Sequence, residues 1–233
     1  MNPNIVHADD DITSEKMSKS IVEASDICKK YGSKTVLSHI SFSIQRSEYV
    51  CIVGKSGAGK TTLLNIIGLI EKSDSGNLLV DGRAVFSRRE ILQLRRTFFG
   101  YIFQDYLLMT DKSVRDNLAI SLYGKERLRS EEMKTVLRKV GLDGSYLDKK
   151  ICCLSGGEQQ RISLARMMLK PYELVLADEP TGNLDCANRN KIIEIFKNLK
   201  MTGKTIVSVT HDREVAASAD RIIYLEDNGT IIC

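Results

Sequence analysis

The segment GKSGAGKT, residues 54–61, stands between two apolar stretches, YVCIV at residues 49–53 and LLNII at residues 63–67. A short continuous apolar run such as the first is typical of a strand buried on both faces. The second stretch has its apolar residues at helical spacing, which predicts a helix beginning at the end of the glycine segment. The order of strand, glycine-rich loop and helix indicates an α/β fold.

The glycine segment matches the pattern G-x-x-x-x-G-K-[ST]. Its glycines let the backbone curl so that successive N–H groups point at phosphate oxygens, and the N-terminus of the following helix favours the same anion. Lys60 can reach the β- and γ-phosphates of a nucleotide, and the Thr61 hydroxyl can ligate Mg²⁺. The alternative is a flexible Gly/Ser loop, which the strand before it and the helix after it disfavour. We therefore predict a phosphate-binding loop for ATP and Mg²⁺.

A second candidate segment is LVLADEP, residues 174–180, in which an apolar run ends in two carboxylates. A phosphate-binding loop needs an acidic residue at the end of a neighbouring strand to hold Mg²⁺, and Asp178 is the candidate. Glu179 is the candidate general base that polarises the attacking water. Alone, a strand ending in Asp-Glu is commonplace at a solvated sheet edge. Its pairing with the glycine segment makes the prediction specific.

Two further polar residues follow predicted strands. His211 comes just after the run at residues 205–209, and Gln104 follows the run at residues 99–103. Ligands of open α/β sheets bind at the carboxyl ends of the strands, so His211 is a candidate sensor of the γ-phosphate. A lone histidine after a strand is more often a surface or capping residue. From its position after a strand, Gln104 could contact Mg²⁺ or the attacking water.

The rest of the chain divides into regions with strand signals and a region with helix signals. Strand signals lie at residues 21–27, 39–44, 77–80, 99–103, 205–209, 221–225 and 230–232. Between residues 113 and 170 these signals stop, and helical spacing appears instead at Val114 and Leu118 and at residues 131–140 and 159–169. The pattern predicts an α/β core interrupted by a helical insertion. Residues 1–20 are polar and charged without a sustained period, and we expect them to form a flexible tail.

Composition restricts the classes of function. Lysine and arginine number 34 against 30 aspartate and glutamate, and the charges are interspersed, so no footprint for nucleic acid is evident. No apolar stretch approaches the roughly 20 residues of a bilayer span, and the N-terminus lacks a secretory signal, so we expect a cytoplasmic chain. The six cysteines show no paired CxxC spacing. The adjacent Cys152 and Cys153 are expected to be reduced thiols.

The segment LSGGEQQR, residues 154–161, predicts a second anion-binding surface. Ser155 can cap a helix whose first turn, Gly156 and Gly157, leaves its N–H groups bare. One nucleotide bound to one chain has no evident need for such a surface.

The order of these motifs resembles the ATP-binding-cassette (ABC) ATPases. The resemblance covers about residues 21–232, and the motifs follow one another as in that family. Their order is the glycine loop, Gln104, LSGGEQQR, LADEP, the turn at Asn183, Leu184 and Asp185, and His211. The resemblance implies a P-loop NTPase (RecA-like) core with an antiparallel β subdomain and a helical insertion at approximately residues 105–170, within one ABC ATPase domain at residues 21–233.

The resemblance also implies a head-to-tail pair of chains, with ATP between the glycine loop of one copy and Ser155, Gly156 and Gly157 of the other. Tyr31 resembles the aromatic residue that stacks on adenine, with a core or surface tyrosine as the alternative. Asp185 matches the turn at the dimer interface. Gln104 matches the loop that couples the site to a membrane permease, and the helical insertion would dock that permease's cytoplasmic helix.

The predicted site residues fall into three groups. The catalytic group is Lys60, Gln104, Glu179 and His211. The ATP-binding group is Tyr31, Gly54, Lys55, Ser56, Gly57, Ala58, Gly59, Lys60, Thr61, Thr62, Ser155, Gly156, Gly157 and Asp185. The Mg²⁺ group is Thr61, Gln104 and Asp178.

Within the family, GYIFQ, LADEPTGNLD and the short C-terminus resemble the lipoprotein-releasing, macrolide- and peptide-exporting, and cell-division group. This implies the motor subunit of an exporter or extractor of a peptide, a lipid or lipoprotein, or an antimicrobial compound. We expect it to lie at the cytoplasmic face of the membrane, held there by its permease, without a nucleic-acid partner. Two alternatives stay open. One is a soluble ABC ATPase of the cofactor-assembly type, and the other is a signalling or scaffolding ATPase.

Overall fold

The computed structural model describes residues 20–84, 86–122, 130–182, 184–227 and 229–232. Of the sequence predictions, residues 1–19 of the expected tail, Asn183 and Cys233 lie outside these ranges, and Ser20 is the first residue of a strand. No described helix is both long and apolar enough to cross a bilayer.

Nine strands and seven α-helices are present in the described part of the chain. The strands are β1 (Ser20–Tyr31), β2 (Lys34–Gln45), β3 (Tyr49–Val53), β4 (Ser75–Val80), β5 (Phe99–Ile102), β6 (Leu174–Asp178), β7 (Thr205–Thr210), β8 (Arg221–Leu225) and β9 (Ile231–Ile232). The helices are α1 (Lys60–Ile67), α2 (Arg88–Thr97), α3 (Val114–Ala119), α4 (Ser130–Lys139), α5 (Gly156–Met168), α6 (Cys186–Met201) and α7 (Arg213–Ala217). Every strand lies where the sequence predicts one, but β1 ends four residues later than predicted and β2 begins five residues earlier.

The strands form two sheets. The larger has the order β5-β6-β7-β3-β8-β9, with β5, β6, β7, β3 and β8 parallel and β9 antiparallel to β8. The smaller sheet has the order β2-β1-β4 and is antiparallel. The predicted α/β core with an antiparallel β subdomain is therefore confirmed.

The parallel sheet is buried on both faces because its strands alternate between two apolar clusters. In β6, Leu174 and Leu176 belong to one cluster, whereas Val175 and Ala177 belong to the other. The first cluster contains α1 and the antiparallel sheet. The second contains the buried faces of α3, α4, α5 and α6. Continuous burial explains why these strands read as unbroken apolar runs in the sequence.

Three helices are absent from the sequence predictions. Helix α2 buries one side chain, Leu94, while its other apolar residues, Ile91 and Leu92, stay half-buried and exposed. Helix α7 has five residues, too few to establish a period. Helix α6 buries Ile192, Ile195, Phe196 and Leu199, whose spacing of three, four and seven residues does indicate a helix. This third helix was missed although its signal was present. The predicted limits of the helical insertion remain a prediction.

Candidate active site

The parallel strands β3, β6 and β7 end at the same edge of their sheet, and the predicted polar residues gather there. Gly54 follows β3, Asp178 ends β6, and His211 follows β7. Gln104 comes shortly after the adjacent β5. This shared edge joins residues that are far apart in the sequence.

The glycine loop is held in place by its own lysine. Lys60 is 9% exposed, and its Nζ donates to the carbonyl oxygens of Gly54 at 2.8 Å and Lys55 at 2.9 Å. Gly59 precedes α1 with a φ of 99°, and no side chain caps this helix. A Cβ at Gly59 would lie 2.8 Å from Val36 Cγ1, so both the dihedral angle and the close approach require glycine. The uncapped helix start leaves backbone donors for an anion.

Thr61 and Asp178 form the arrangement predicted for Mg²⁺. Thr61 Oγ1 donates to Asp178 Oδ1 at 3.1 Å. The pKa of the Asp178 carboxyl is raised, mainly because the group is buried. The nearby carboxylates of Glu179 and Asp105 also raise this pKa, whereas the hydrogen bond from Thr61 and the charge of Lys60 lower it. A hydroxyl and a poorly hydrated carboxylate are the hard oxygen ligands that Mg²⁺ requires, so these residues fit the ion.

Glu179 is fixed by the last residue of β7 and the residue that follows it. Thr210 Oγ1 donates to Glu179 Oε2 at 3.1 Å, and His211 Nδ1 lies 3.0 Å from Glu179 Oε1. The side chain of Glu179 is 13% exposed, whereas that of His211 is 70% exposed. Glu179 has a φ of 44°, a left-handed conformation that costs a non-glycine residue about 1–2 kcal/mol. Such local strain is typical of functional positions.

A cavity of about 590 Å³ joins most of these groups. Its lining consists of Tyr31, Val36, Ser56, Gly57, Gly59, Lys60, Thr61, Thr62, Gln104, Glu179 and His211. Some predicted ligands are not among the lining residues: Gly54, Lys55, Ala58, Ser155, Gly156, Gly157, Asp178 and Asp185. The side chain of Lys55 instead pairs with Asp227 at 2.6 Å, beside a separate cavity of about 580 Å³.

Tyr31 lies at the rim of the first cavity and is 49% exposed. Its hydroxyl donates to Glu71 Oε1 at 2.5 Å, and this hydrogen bond raises the pKa of Tyr31. Lys29 Nζ lies 5.4 Å from the ring centroid and forms an ion pair with Glu71 at 3.2 Å. The Tyr31 ring is therefore held at its hydroxyl by Glu71, while about half of the residue is exposed to solvent. No sequence motif pointed to Glu71.

The LSGG segment forms the predicted helix cap. Ser155 Oγ accepts from the Glu158 N–H at 3.3 Å, while Glu158 Oε2 accepts from the Ser155 N–H at 2.7 Å. Tyr146 also donates to Glu158 Oε1 at 2.6 Å. Ser155 and Gly156 are exposed, and Gly157 is buried. The cap therefore presents the first turn of α5 to solvent, as an anion site needs.

The first turn of α6 connects the LSGG helix to the Asp185 turn. Asp185 caps α6 by accepting from the Asn188 N–H at 2.7 Å, and Asn188 Nδ2 donates to Asp185 Oδ2 at 3.0 Å. From α5, Arg161 Nη1 donates to Asn188 Oδ1 at 2.6 Å. A Cβ at Gly157 would lie 2.5 Å from Asn188 Cγ. Asn188 is thus a central contact that the sequence analysis missed.

Two further contacts reach the carboxylate segment. Buried Gln160 Nε2 donates to the Pro180 carbonyl at 2.8 Å, next to Glu179. Arg189 pairs with Asp212 at 3.4 Å, and the Asp212 N–H donates to Thr210 Oγ1 at 3.0 Å. Together these bonds connect the exposed first turn of α5 with the residues that hold Glu179.

The loop after Gln104 exposes apolar side chains on a fixed backbone. Leu107 is 56% exposed and Met109 is 38% exposed. Arg166 donates to the carbonyls of Tyr106 at 2.9 Å and Leu107 at 2.6 Å, and both of these residues have positive φ values, 57° and 48°. Buried Asn117 donates to the Met109 carbonyl at 3.1 Å.

Residues 37–182 match a family model described as ABC transporter. The macrolide export ATP-binding/permease protein MacB of Shewanella sp. (strain ANA-3) is 42% identical over 225 residues, which cover 93% of this chain and 34% of MacB. The chain therefore spans about a third of the length of the curated relatives that it matches.

Solved structures resemble the whole described core. The dimeric structure of MJ0796, a bacterial ABC transporter cassette, has a TM-score of 0.83 and 33% identity, covering 91% of this chain and 97% of that one. A dimeric post-hydrolysis state of MJ0796 bound to ADP and Pi has a TM-score of 0.82 and 32% identity, with the same coverage of both chains.

Proposed function

Because the chain belongs to the ABC transporter family, we propose that it binds ATP with Mg²⁺ and hydrolyses it as the motor subunit of a membrane transporter. The family resemblance predicted from the GKSGAGKT, LSGGEQQR and LADEP segments is thereby confirmed. The observation that carries the proposal is the single cavity in which Lys60, Gln104, Glu179 and His211 meet. The site residues and their roles below are part of the proposal.

In the proposed mechanism, ATP phosphates occupy the glycine loop. Lys60 Nζ exchanges its two carbonyl partners, Gly54 and Lys55, for oxygens of the β- and γ-phosphates. The bare N–H groups at the start of α1 bind the same anion. Thr61 and Asp178 would hold Mg²⁺, which when bound neutralises charge on the phosphates.

Glu179 is the proposed general base. Its carboxylate polarises the attacking water and accepts a proton at an Oε atom as the water oxygen bonds to the γ-phosphorus and ADP leaves. Thr210 fixes Oε2, which supports a defined orientation of the other oxygen. His211 is largely exposed and can turn from Glu179 Oε1 to the γ-phosphate. Gln104 lies on the cavity wall where it can contact the water or the metal.

We propose that two copies close head to tail over two ATP molecules. The exposed cap at Ser155 and Gly156 has the chemistry of a phosphate site, yet it does not line the cavity of its own chain. A second copy would bring this cap to the γ-phosphate held by the first, with Asp185 near the contact. The dimeric state of the MJ0796 cassette supports this arrangement.

The proposed membrane partner is a permease bound at the Gln104 loop. The MacB relatives carry permease and ATP-binding functions in one protein, of which this chain matches about a third. The exposed Leu107 and Met109 offer an apolar surface for a permease helix. The chain would then lie at the cytoplasmic face of the membrane, and the cargo class would be a macrolide-like antimicrobial, a peptide or a lipid.

The Glu179→Gln variant tests the motor proposal. Without the base, ATP stays bound, so we expect a monomer that becomes a dimer on addition of Mg-ATP in sedimentation velocity. Hydrolysis should fall by roughly 100-fold or more, the contribution of general base catalysis. Wild-type hydrolysis should be slow in dilute solution and rise with chain concentration.

The matched control is the double variant Glu179→Gln/Ser155→Arg, which keeps the glycine loop but blocks the partner's phosphate site. We expect it to bind ATP and to remain monomeric. A strict monomer for Glu179→Gln with Mg-ATP would contradict the proposed dimer, and a dimer of the double variant would contradict its head-to-tail arrangement. Unchanged transporter function in cells carrying Glu179→Gln would favour a scaffolding role.

A further inference from the structure

Three side chains with different metal-binding atoms converge on the antiparallel sheet. Asp26 and Cys28 lie on β1, and His39 lies on β2. One carboxylate oxygen, the thiol sulfur and one imidazole nitrogen lie within 4.8 Å of one another. Asp26 Oδ1 and His39 Nδ1 are 2.5 Å apart. None of the three residues lines the cavity described above.

An irregular backbone brings these residues together. The β1–β2 register shifts on both sides of Ile27, as it does at a β-bulge. Asp26 and His39 have φ values of 58° and 53°, in the left-handed region that non-glycine residues seldom adopt. The Asp26 N–H donates to Ser41 Oγ at 2.9 Å, and the His39 N–H donates to Cys28 Sγ at 3.3 Å. Backbone and side-chain contacts therefore fix the cluster.

Strand β4, which pairs with β1 on the side opposite β2, packs against the bulge. A Cβ at Gly76 of β4 would lie 2.3 Å from the Asp26 carbonyl oxygen, so β4 packs directly against the bulged backbone. The Asp74 N–H donates to the Cys28 carbonyl at 2.9 Å. The backbone that carries Asp26 and Cys28 is therefore held by the strands on both sides of β1.

A hydrogen-bonded surface pair explains the arrangement less well. The side chains of His39 and Asp26 are 74% and 65% exposed, and exposed ion pairs contribute little to stability. Such a pair does not account for two residues held in left-handed conformations.

We propose that Asp26, Cys28 and His39 form a three-ligand site for a divalent transition metal of the zinc class, with a fourth position open to solvent. Thiolate and imidazole ligands favour Zn²⁺ over Mg²⁺ or Ca²⁺. Tetrahedral ligands at about 2.0 Å from zinc lie about 3.3 Å apart, so Asp26 and His39 need to separate by about 1 Å. On binding, the Cys28 S–H bond breaks, its proton leaves to solvent, and sulfur bonds to the metal.

Cobalt(II) is the probe that tests this site in the nucleotide-free chain without Mg²⁺. We expect one equivalent of Co²⁺ to give a near-ultraviolet thiolate-to-cobalt charge-transfer band, which Zn²⁺ removes by competition. Cys28→Ser should abolish the band, and His39→Ala and Asp26→Asn should each weaken binding by about 10-fold or more. Co²⁺ bound between Thr61 and Asp178 would give no such band, because those ligands contain no sulfur.

The double variant Cys152→Ser/Cys153→Ser is the matched control, because these adjacent cysteines are exposed and their sulfurs lie 3.9 Å apart. It should retain the band at full intensity. A band that survives Cys28→Ser, or that is lost in the double variant, overturns the proposal. Asp26→Asn is nearly isosteric, so unchanged Co²⁺ affinity in that variant also overturns it, even if Cys28→Ser fails to fold. The ATPase proposal is unaffected by any of these outcomes.

Discussion

At Gly157, a methyl group on the Cα would lie 2.5 Å from Asn188 Cγ, and Asn188 is itself held by Arg161 and Asp185. At the adjacent Gly156 the same methyl group would meet only the Tyr106 hydroxyl, at 3.6 Å. Two neighbouring glycines of one motif therefore face very different surroundings.

We expect Gly157→Ala to lower the free energy of unfolding by about 1–3 kcal/mol, the cost of overpacking. The free energy of unfolding of Gly156→Ala should stay within about 1 kcal/mol of the wild-type value. The added methyl group makes only an ordinary contact, and alanine forms helices better than glycine. Urea unfolding followed by circular dichroism measures both. Equal stability of the two variants would show that Asn188 moves freely.

Asp178 makes the folding stability of the chain depend on pH when nucleotide and Mg²⁺ are absent. Burial raises the pKa of this carboxyl above its usual value of 3.8, so ionisation is less favourable in the folded state than in the unfolded state. Asp178 therefore favours folding fully only below its unfolded pKa, and this contribution is lost as the pH rises through the raised folded pKa.

We expect Asp178→Asn to unfold at a higher urea concentration than wild type at neutral pH, without nucleotide or Mg²⁺. The asparagine keeps an oxygen for the Thr61 hydroxyl, so the removed charge is the main difference. The advantage should shrink as the pH is lowered toward 3.8. A variant less stable than wild type at neutral pH would contradict the effect of burial.

Among the secondary-structure elements, α6 contacts both the LSGG helix α5 and the segment that follows His211. Its first turn bonds to Arg161 of α5, and Arg189 forms ion pairs with Asp212 and Glu214 at the start of α7. Asp212 follows His211 directly, so the position of α6 and that of His211 depend on each other.

We expect Arg189→Ala to lower the turnover number for ATP by roughly 10-fold with little change in nucleotide affinity, because misplacing His211 affects positioning more than binding. Lys197→Ala, which removes an exposed charge from the same helix, is the control and should leave turnover unchanged. Steady-state ATPase assays and nucleotide titration separate the two effects. A parallel loss of affinity would instead indicate a general distortion of α6.

The sequence predicts elements well where one signal dominates. Strands such as β3 and β6 are buried on both faces, so their apolar runs are unbroken. Helix α2 is short, and its apolar stripe consists of Ile91, Leu94 and the capping residue Phe98, of which Leu94 and Phe98 are buried. Its signal is therefore spread over only two turns between charged residues, and it was missed.

For the whole molecule, the sequence predicts the residues at strand ends but not the contacts between side chains. Gly54, Asp178 and His211 follow from the rule that ligands bind at the carboxyl ends of parallel strands. The bond from Thr210 to Glu179 and the bond from Arg161 to Asn188 depend on how separate elements pack. The Asp26 cluster depends on a bulge in the backbone, which no regular spacing reveals.

Lys60 also bears on which anions the empty loop accepts. Its ammonium group already has two carbonyl partners, so any incoming anion must compete with bonds inside the loop. In the proposed binding mode, a lone sulfate or orthophosphate would replace them with few contacts, whereas a triphosphate would engage the lysine, the helix start and Thr61 together. We therefore expect the lysine to discriminate by ligand size against the small anions that are abundant in solution, before any partner chain arrives.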